Sequence, residues 1–490
     1  MKALLFDPLA GRDGNVVAER TAGELSARCD KEGADFPAMV TSLGEARRHR
    51  LLPTSRVRSE LRAKLVAARR ATDGLFALLT PEGMAQRPIA ERHRFVFYLG
   101  HLEAFDWNLV CRDALGHGSV NAGFEQLFAF GIDPIDGGPT DTAADWPTQE
   151  HLTPWIRRVR QAVDDAVDRA PFTGWLEDAW AARLAVEHRL MHAETLCYLL
   201  QRTPLRFKRR GPLPEVTDEA VAGTEVLVPR GKAVLGLARN TAPHVGWDNE
   251  YERHTVEVPS FTMARLPVSN GEWLAFVEAG GYRNRALWDE AAWAWLGRDG
   301  IEHPAFWRQH DGRWWWQAMF GEVPLPRQWP VYVSHAEATA YAKWKGARLP
   351  TEAQWHRAAF SDAEAPRFPW GAASPEPGRH GHFGFARFDP VASGTCPQGD
   401  SPLGIADLMG NGWEWTSTVF GPFAGFEALP FYRGYSANFF DGNHFVMKGA
   451  SASTDLAFLR PSFRNWFQPH YQHVFSKFRL VTDGRGSTHE

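Results

Sequence analysis

The sequence predicts a multidomain chain of mixed class, a four-helix bundle followed by a loop-rich α+β domain, on three observations. Long amphipathic helical periodicity is confined to about residues 54–203, and short β-prone pieces separated by Gly and Pro take over after about 231. Only five of the 21 tryptophans (Trp107, Trp146, Trp155, Trp175 and Trp180) precede residue 231, so the halves are built differently. At 490 residues each half has enough chain to bury its own core without disulfide or metal staples.

Residues 1–53 form an N-terminal extension whose role the sequence does not specify; its opening apolar patch is broken by Asp7 and Pro8, too short for a secretory signal. The first helix is predicted in "SRVRSELRAKLVAARRATDGLFALL", with Ser55 as its cap, and the second in "AERHRFVFYLGHLEAFDWNLVCRDAL". A Gly/Pro/Asp-rich loop at 131–147 leads to "TQEHLTPWIRRVRQAVDDAV" and "GWLEDAWAARLAVEHRLMHAETLCYLLQ". Four such helices with one long connection read as a bundle over 54–203. Residues 204–230 lose the period and gain Pro and Gly, the texture of a linker. In 231–490, "HTVEVPSFTMA" and "PVYVSH" read as strands and "NGEWLAFVEAGG" and "HAEATAYAKWKG" as short helices, held by aromatic packing more than by long regular elements. No internal repeat is evident.

The chain carries 23% charged and 44% apolar residues and a formal net charge of −4. Its richest basic run, "LRFKRRG" at 205–211, is too short for a phosphate-binding face, so nucleic acid is not an expected partner. Nowhere do about 18 apolar residues run together, and no membrane partner is expected. Cys29, Cys111, Cys197 and Cys396 are far apart and form no CxxC pair, which suits a reducing, cytoplasmic setting rather than a disulfide framework. Oligomeric state is not legible.

His188 and His192 stand four residues apart in "VEHRLMHAETLCYLL". An i, i+4 pair shares a helix face at about 6 Å and can offer two imidazole nitrogens to one metal ion. Two histidines that merely share a face would look the same, and spacing alone leaves both readings open. Glu194 lies about 200° round the helix from His192, a poor third ligand. His101 in "FYLGHLEAFDWN" sits in an apolar run that a bundle turns inward; taken alone it reads as a buried histidine bonded to a carbonyl. Three imidazoles without a carboxylate would leave about half of an octahedral ion's positions open.

Four ordered blocks, "PVSNGEWLAFVEAGGY", "ARLPTEAQWHRAA", "GIADLMGNGWEWTST" and "FRNWFQPHYQHVFSKFRLV", resemble the formylglycine-generating-enzyme/sulfatase-modifying domain, which implies a C-type-lectin-like fold for the second half. The formylglycine-generating oxidases use paired cysteines near the C-terminus, whereas the last cysteine here is Cys396, so that activity is not expected. A DinB-like bundle carrying H…HxxxHxE ahead of this domain is similar to the ergothioneine-type sulfoxide synthases. The resemblance implies a non-haem Fe(II) enzyme that uses O₂ as co-substrate to join a chalcogen donor to C2 of the imidazole of hercynine. It implies His101, His188 and His192 as iron ligands, Tyr432 and Tyr435 in "PFYRGYSANFF" as catalytic candidates, and Asn465 and Trp466 as hercynine contacts. Trp413, Glu414 and Trp415 in "GNGWEWT" read as structural.

Members that use γ-glutamylcysteine carry arginines in the loop after the second helix and an Asp after the Asn-Trp pair. Here no arginine stands between 113 and 156, Asp133, Asp136, Asp141 and Asp145 occupy that loop, and Phe467 follows Trp466. A donor with two carboxylates would meet negative charge and an aromatic ring. That departure favours a neutral, hydroxyl-rich donor and resembles the selenoneine synthase branch, in which a selenosugar is joined to hercynine. The alternatives are cysteine or γ-glutamylcysteine as donor, and a non-catalytic metal- or ligand-binding module.

Overall fold

Helices α1 (Thr54–Phe76), α2 (Phe95–Asp106), the short α3 (Ala122–Leu127), α4 (Gln149–Arg169) and α5 (Trp180–Arg202) make up the N-terminal half. The computed structural model describes residues 54–129, 141–171, 179–216, 223–239, 246–362, 367–430 and 432–483; the N-terminal extension and Asp133 and Asp136 lie outside these. Four long helices appear where the periodicity predicts them. Ser55 lies inside α1 rather than capping it, and α2 starts at Phe95 and runs straight into a π-helical segment, Trp107–Asp113. Thr148 caps α4 by accepting from the His151 N–H, the local reason that helix begins there.

Helix α5 is buried from Ala181 almost without break to Gln201. Polar residues recur all round it, yet it is covered on every side: α1 and α2 pack on one flank and the C-terminal half on the other. Its charged groups are therefore paired. Arg189 donates to Glu103 Oε1 at 3.1 Å and to Asp106 Oδ2 at 2.6 Å, both on α2. Arg160 of α4 donates to Glu103 at 2.7 Å and, through both terminal nitrogens, to Asp73 of α1 at 2.7 Å. One charge network thus ties all four long helices and fixes how α2 sits against α5.

The C-terminal half is built from small sheets. Strands β1 (Glu225–Val228), β4 (Phe261–Ala264) and β12 (Val481–Asp483) form one in the order β1-β4-β12; β2 (Gly231–Leu235) pairs with β3 (His254–Val258). Strands β5 (Trp307–His310), β6 (Arg313–Ala318) and β7 (Gly321–Pro324) form an antiparallel meander. The fourth sheet runs β10-β9-β8-β11, from β8 (Gly412–Val419), β9 (Phe445–Ala450), β10 (Asn465–Phe467) and β11 (Ser476–Lys477). Helices α6 (Asn270–Glu278), α8 (His335–Trp344) and α9 (Glu352–Phe360) each open on a reciprocal capping box, Ser269/Glu272, Ser334/Glu337 and Thr351/Gln354. Helix α7 (Glu290–Asp299), absent from the sequence reading, starts at the Asp289 cap and stops at Gly300, whose φ of 63° suits glycine.

Two further differences have physical causes. β1 falls inside the stretch read as linker, because "EVLV" finds hydrogen-bond partners on β4 far along the chain. "PVYVSH" is not a strand: Val331, Tyr332 and Val333 are all buried, and their backbone meets Val268 and Ser476 through isolated bonds only.

The halves are joined by buried polar contacts. Glu194 of α5 accepts from Trp413 Nε1 at 2.7 Å, from Thr454 Oγ1 at 3.0 Å and from Ser451. Glu187 accepts from Trp247 Nε1 at 2.8 Å and from Arg460, which also binds Glu250. Both acids of α5 are spent on this joint, which explains why Glu194 is not a ligand. Within the "GNGWEWT" block, Glu414 accepts from Arg479 and from Trp355 Nε1, a structural role as expected.

Candidate metal centre

His101 projects from α2, and His188 and His192 from α5, into the buried space between those helices. One ligand atom from each lies within 4.8 Å of the others, the single such group of three among the described residues. Nδ1 of His101 meets the Phe128 carbonyl at 2.8 Å; a carbonyl only accepts, so Nδ1 carries the proton and Nε2 keeps its lone pair. That Nε2 has no hydrogen-bond partner among the described residues. The Nε2 atoms of His188 and His192 lie 3.2 Å apart. Cis ligands on one ion with bonds of about 2.1 Å would stand about 3 Å apart, so this spacing fits joint ligation.

Burial disfavours the imidazolium in all three. It pushes His101 down to about 4, against the raising effect of the Phe128 bond, and holds His188 and His192 well below the ordinary histidine range, with the neighbouring histidines adding to the effect. At neutral pH three unprotonated nitrogens therefore face one point, the form that binds a transition metal. No carboxylate belongs to the group. Aromatic rings fix the imidazoles: Phe105 stacks on His188 at 3.5 Å and 8°, Phe97 lies along His101 at 5.1 Å, and Tyr98 leans on His192 at 5.6 Å.

Tyr432 stands beside the histidines, its ring 6.4 Å from His188 and 5.6 Å from Phe105. Tyr435 lies 5.6 Å from Tyr432, stacks on Trp247 at 4.1 Å and points its hydroxyl at the Met191 sulfur at 3.4 Å. Burial, aided by Asp248 and Glu250, raises its phenol well above the ordinary value, so it stays neutral. Trp466 lies flat on Phe420 at 4.1 Å and meets Tyr435 edge-on at 5.5 Å.

Strand alternation puts Asn465 and Phe467 on the face of β10 opposite Trp466. Asn465 Oδ1 accepts from the Trp466 N–H, while Phe467 stacks on Tyr471, whose hydroxyl accepts from Arg92 Nε at 3.0 Å. The three histidines, Tyr432, Tyr435 and Trp466 thus form one connected set. Asn465 and Phe467 reach towards a different wall.

The acidic loop corrects an expectation. Asp141 accepts from Trp146 Nε1 at 2.6 Å and Arg94 Nε at 3.1 Å and pairs with Arg87, and Asp145 accepts from the Thr142 N–H and hydroxyl. Arginines absent from the loop arrive from the segment before α2, so these two carboxylates are engaged structurally and do not present a bare acidic wall. Phe105, one turn beyond His101 on α2, was detectable by spacing; the Phe128 carbonyl carries no side-chain signal.

A family model described as a sulfatase-modifying factor enzyme 1-like domain matches residues 212–484. Hercynine oxygenase of Mycolicibacterium thermoresistibile is 38% identical over 335 residues, which are 66% of this chain and 73% of that protein. The hercynine oxygenase of Mycolicibacterium smegmatis is 38% identical over 336 residues, covering 66% and 76%. Ergothioneine biosynthesis protein 1 of Schizosaccharomyces pombe is 27% identical over 454 residues, 82% of this chain and 53% of that protein. A match of this extent across both halves places the chain in the ergothioneine-type sulfoxide synthase family, with the sulfatase-modifying factor enzyme 1-like domain as its C-terminal half.

Proposed function

We propose that the chain is a non-haem Fe(II), O₂-dependent enzyme that joins a thiol, cysteine or γ-glutamylcysteine, to C2 of the hercynine imidazole with oxidation of the sulfur. The observation that carries this reading is the buried convergence of His101, His188 and His192. Relatives named hercynine oxygenases, aligned over two thirds of this chain, support hercynine as the acceptor. Iron held by the three imidazoles supplies the one-electron chemistry with O₂ that no side chain provides.

The protein's own groups do the rest. Burial strips water from the site and strengthens every polar contact within it. Tyr432, whose ring lies 6.4 Å from that of His188, is the first candidate to supply a phenolic proton. Tyr435, kept neutral and braced by Trp247, is the second candidate and steadies Tyr432. An indole is suited to a quaternary ammonium, and Trp466 is the one in the connected set, while Asn465 stands on the opposite face of β10.

The selenosugar donor favoured by the loop composition is now the contrasting arm. Asp141 and Asp145 are already hydrogen-bonded, and the relative named ergothioneine biosynthesis protein 1 favours a sulfur donor. Iron-loaded protein is mixed with hercynine, O₂ and, in turn, cysteine, γ-glutamylcysteine and a 1-selenosugar, with O₂ uptake and product mass as readouts. Hercynine-dependent O₂ uptake with a thiol, yielding the coupled sulfoxide, supports the assignment. Faster turnover of the selenosugar reverses the donor, and no hercynine-dependent uptake with any donor leaves a binding module.

A further inference from the structure

A second cavity, of about 710 Å³, lies between α1, α5 and the C-terminal half. It uses Arg183, Val186, Glu187 and Leu190, an i, i+3, i+4, i+7 stripe of α5 turned largely away from His188 and His192. Its volume falls in the range of small-molecule sites, which favour domain boundaries. Its floor is apolar: Leu61, Ala68, Val186, Leu190 and Leu459 are all buried. Small side chains on α1 leave the room.

Its rim is cationic. Lys64, Arg183, Arg253, Arg367 and Arg460 line it against two carboxylates, Asp455 and Glu187, the latter paired with Arg460, and Lys64 and Arg367 are among its exposed cations. The inner wall is rigid and preformed: Arg460 binds Glu187 at 2.9 Å and Glu250 at 2.6 Å, and Ser462 donates to Glu250 at 2.6 Å. An apolar floor alone would accept any oily body, and a cationic rim alone any anion. Together they select a molecule with both parts, its acid group drawn to the exposed cations Lys64 and Arg367 and its body laid against α1 and α5.

We propose that this cavity is a binding site for a small organic anion with an apolar body, separate from the histidine centre. The test uses the full chain, metal-free and iron-loaded, titrated with 8-anilinonaphthalene-1-sulfonate and, as a neutral counterpart, N-phenyl-1-naphthylamine, both followed by fluorescence. The expected result is one saturable site for the sulfonate in both forms. The surface double variant Lys64→Glu/Arg367→Glu should weaken it about tenfold while leaving the neutral probe unchanged. Ala67→Trp, at an exposed lining position, should block both probes, with thermal unfolding reporting that each variant is folded. Unsaturable binding, or equal sulfonate affinity in folded wild type and double variant, overturns the proposal. Displacement by inorganic phosphate as effective as by laurate also overturns it, because the apolar body would then contribute nothing.

Discussion

Nδ1 of His101 donates to the Phe128 carbonyl, and this bond selects the nitrogen that the ring turns towards His188 and His192. His188 and His192 are oriented by stacking and edge contacts instead. Replacing His188 with Ala should abolish tight Fe(II) binding and turnover together, while Phe105→Ala should keep the three nitrogens but lower metal affinity by about 10-fold, as loss of an outer contact typically does; equilibrium metal titration checks both. Buried histidines away from this centre add to the acid limit of stability that the three clustered histidines, also depressed, impose. His335 and His473 are each pushed down to about 3, first by burial, and His473 Nδ1 accepts from Arg202. Their folded values lie below the unfolded value of 6.5, so the unfolded chain binds protons that the folded one refuses. Stability is full above about 6.5 and falls as pH drops towards 3, by up to about 1.4 kcal/mol per pH unit for each residue. Urea midpoints between pH 7 and 5 should show this slope, and His335→Leu should make it shallower by one residue's share.

Helices α2 and α5 bring the three histidines together only if their register is fixed, and Arg189 with Glu103 and Asp106 fixes it. Arg189 follows His188 in sequence and Glu103 stands two residues after His101, so the clamp sits one layer behind the histidines. Glu103→Ala leaves Arg189 without one of its two carboxylates in the interior and removes a partner of Arg160; the expected cost is about 3–5 kcal/mol in urea unfolding. Iron affinity should fall in the variant even at temperatures where it is fully folded. The helices themselves were legible, since their apolar periodicity is local. The clamp was not: Arg189 and Glu103 read as ordinary helix charges until α2 and α5 are laid side by side. The small strands were legible only in part, because β1, β11 and β12 are too short to carry a pattern and owe their form to distant partners.

At the scale of the molecule, α5 carries two of the three clustered histidines and also forms the joint. Glu194 takes three donors from the C-terminal half and Glu187 binds Trp247 and Arg460, so the halves should unfold as one. Tryptophan fluorescence, which reports mainly the C-terminal half, and far-ultraviolet circular dichroism should give coincident transitions. Glu194→Ala strands three buried donors, should cost about 1–3 kcal/mol for each one left unpaired, and should separate the two signals. The order of helical half, histidine-bearing helix and aromatic-rich half was readable from composition and from the resemblance. The donor was not readable, because a loop rich in aspartate looks like a binding surface until Arg87, Arg94 and Trp146 are found on Asp141.

The most direct test of the three-histidine centre is anaerobic Fe(II) titration of the native chain and of His101→Ala, His188→Ala and His192→Ala, with nitric oxide added as a spectroscopic reporter and hercynine as the perturbant. One tightly bound iron per native chain is predicted, with a nitrosyl signal that shifts when hercynine is added and is absent from all three variants. Iron stoichiometry and signal unchanged in folded variants would contradict the assignment of these residues as the metal centre.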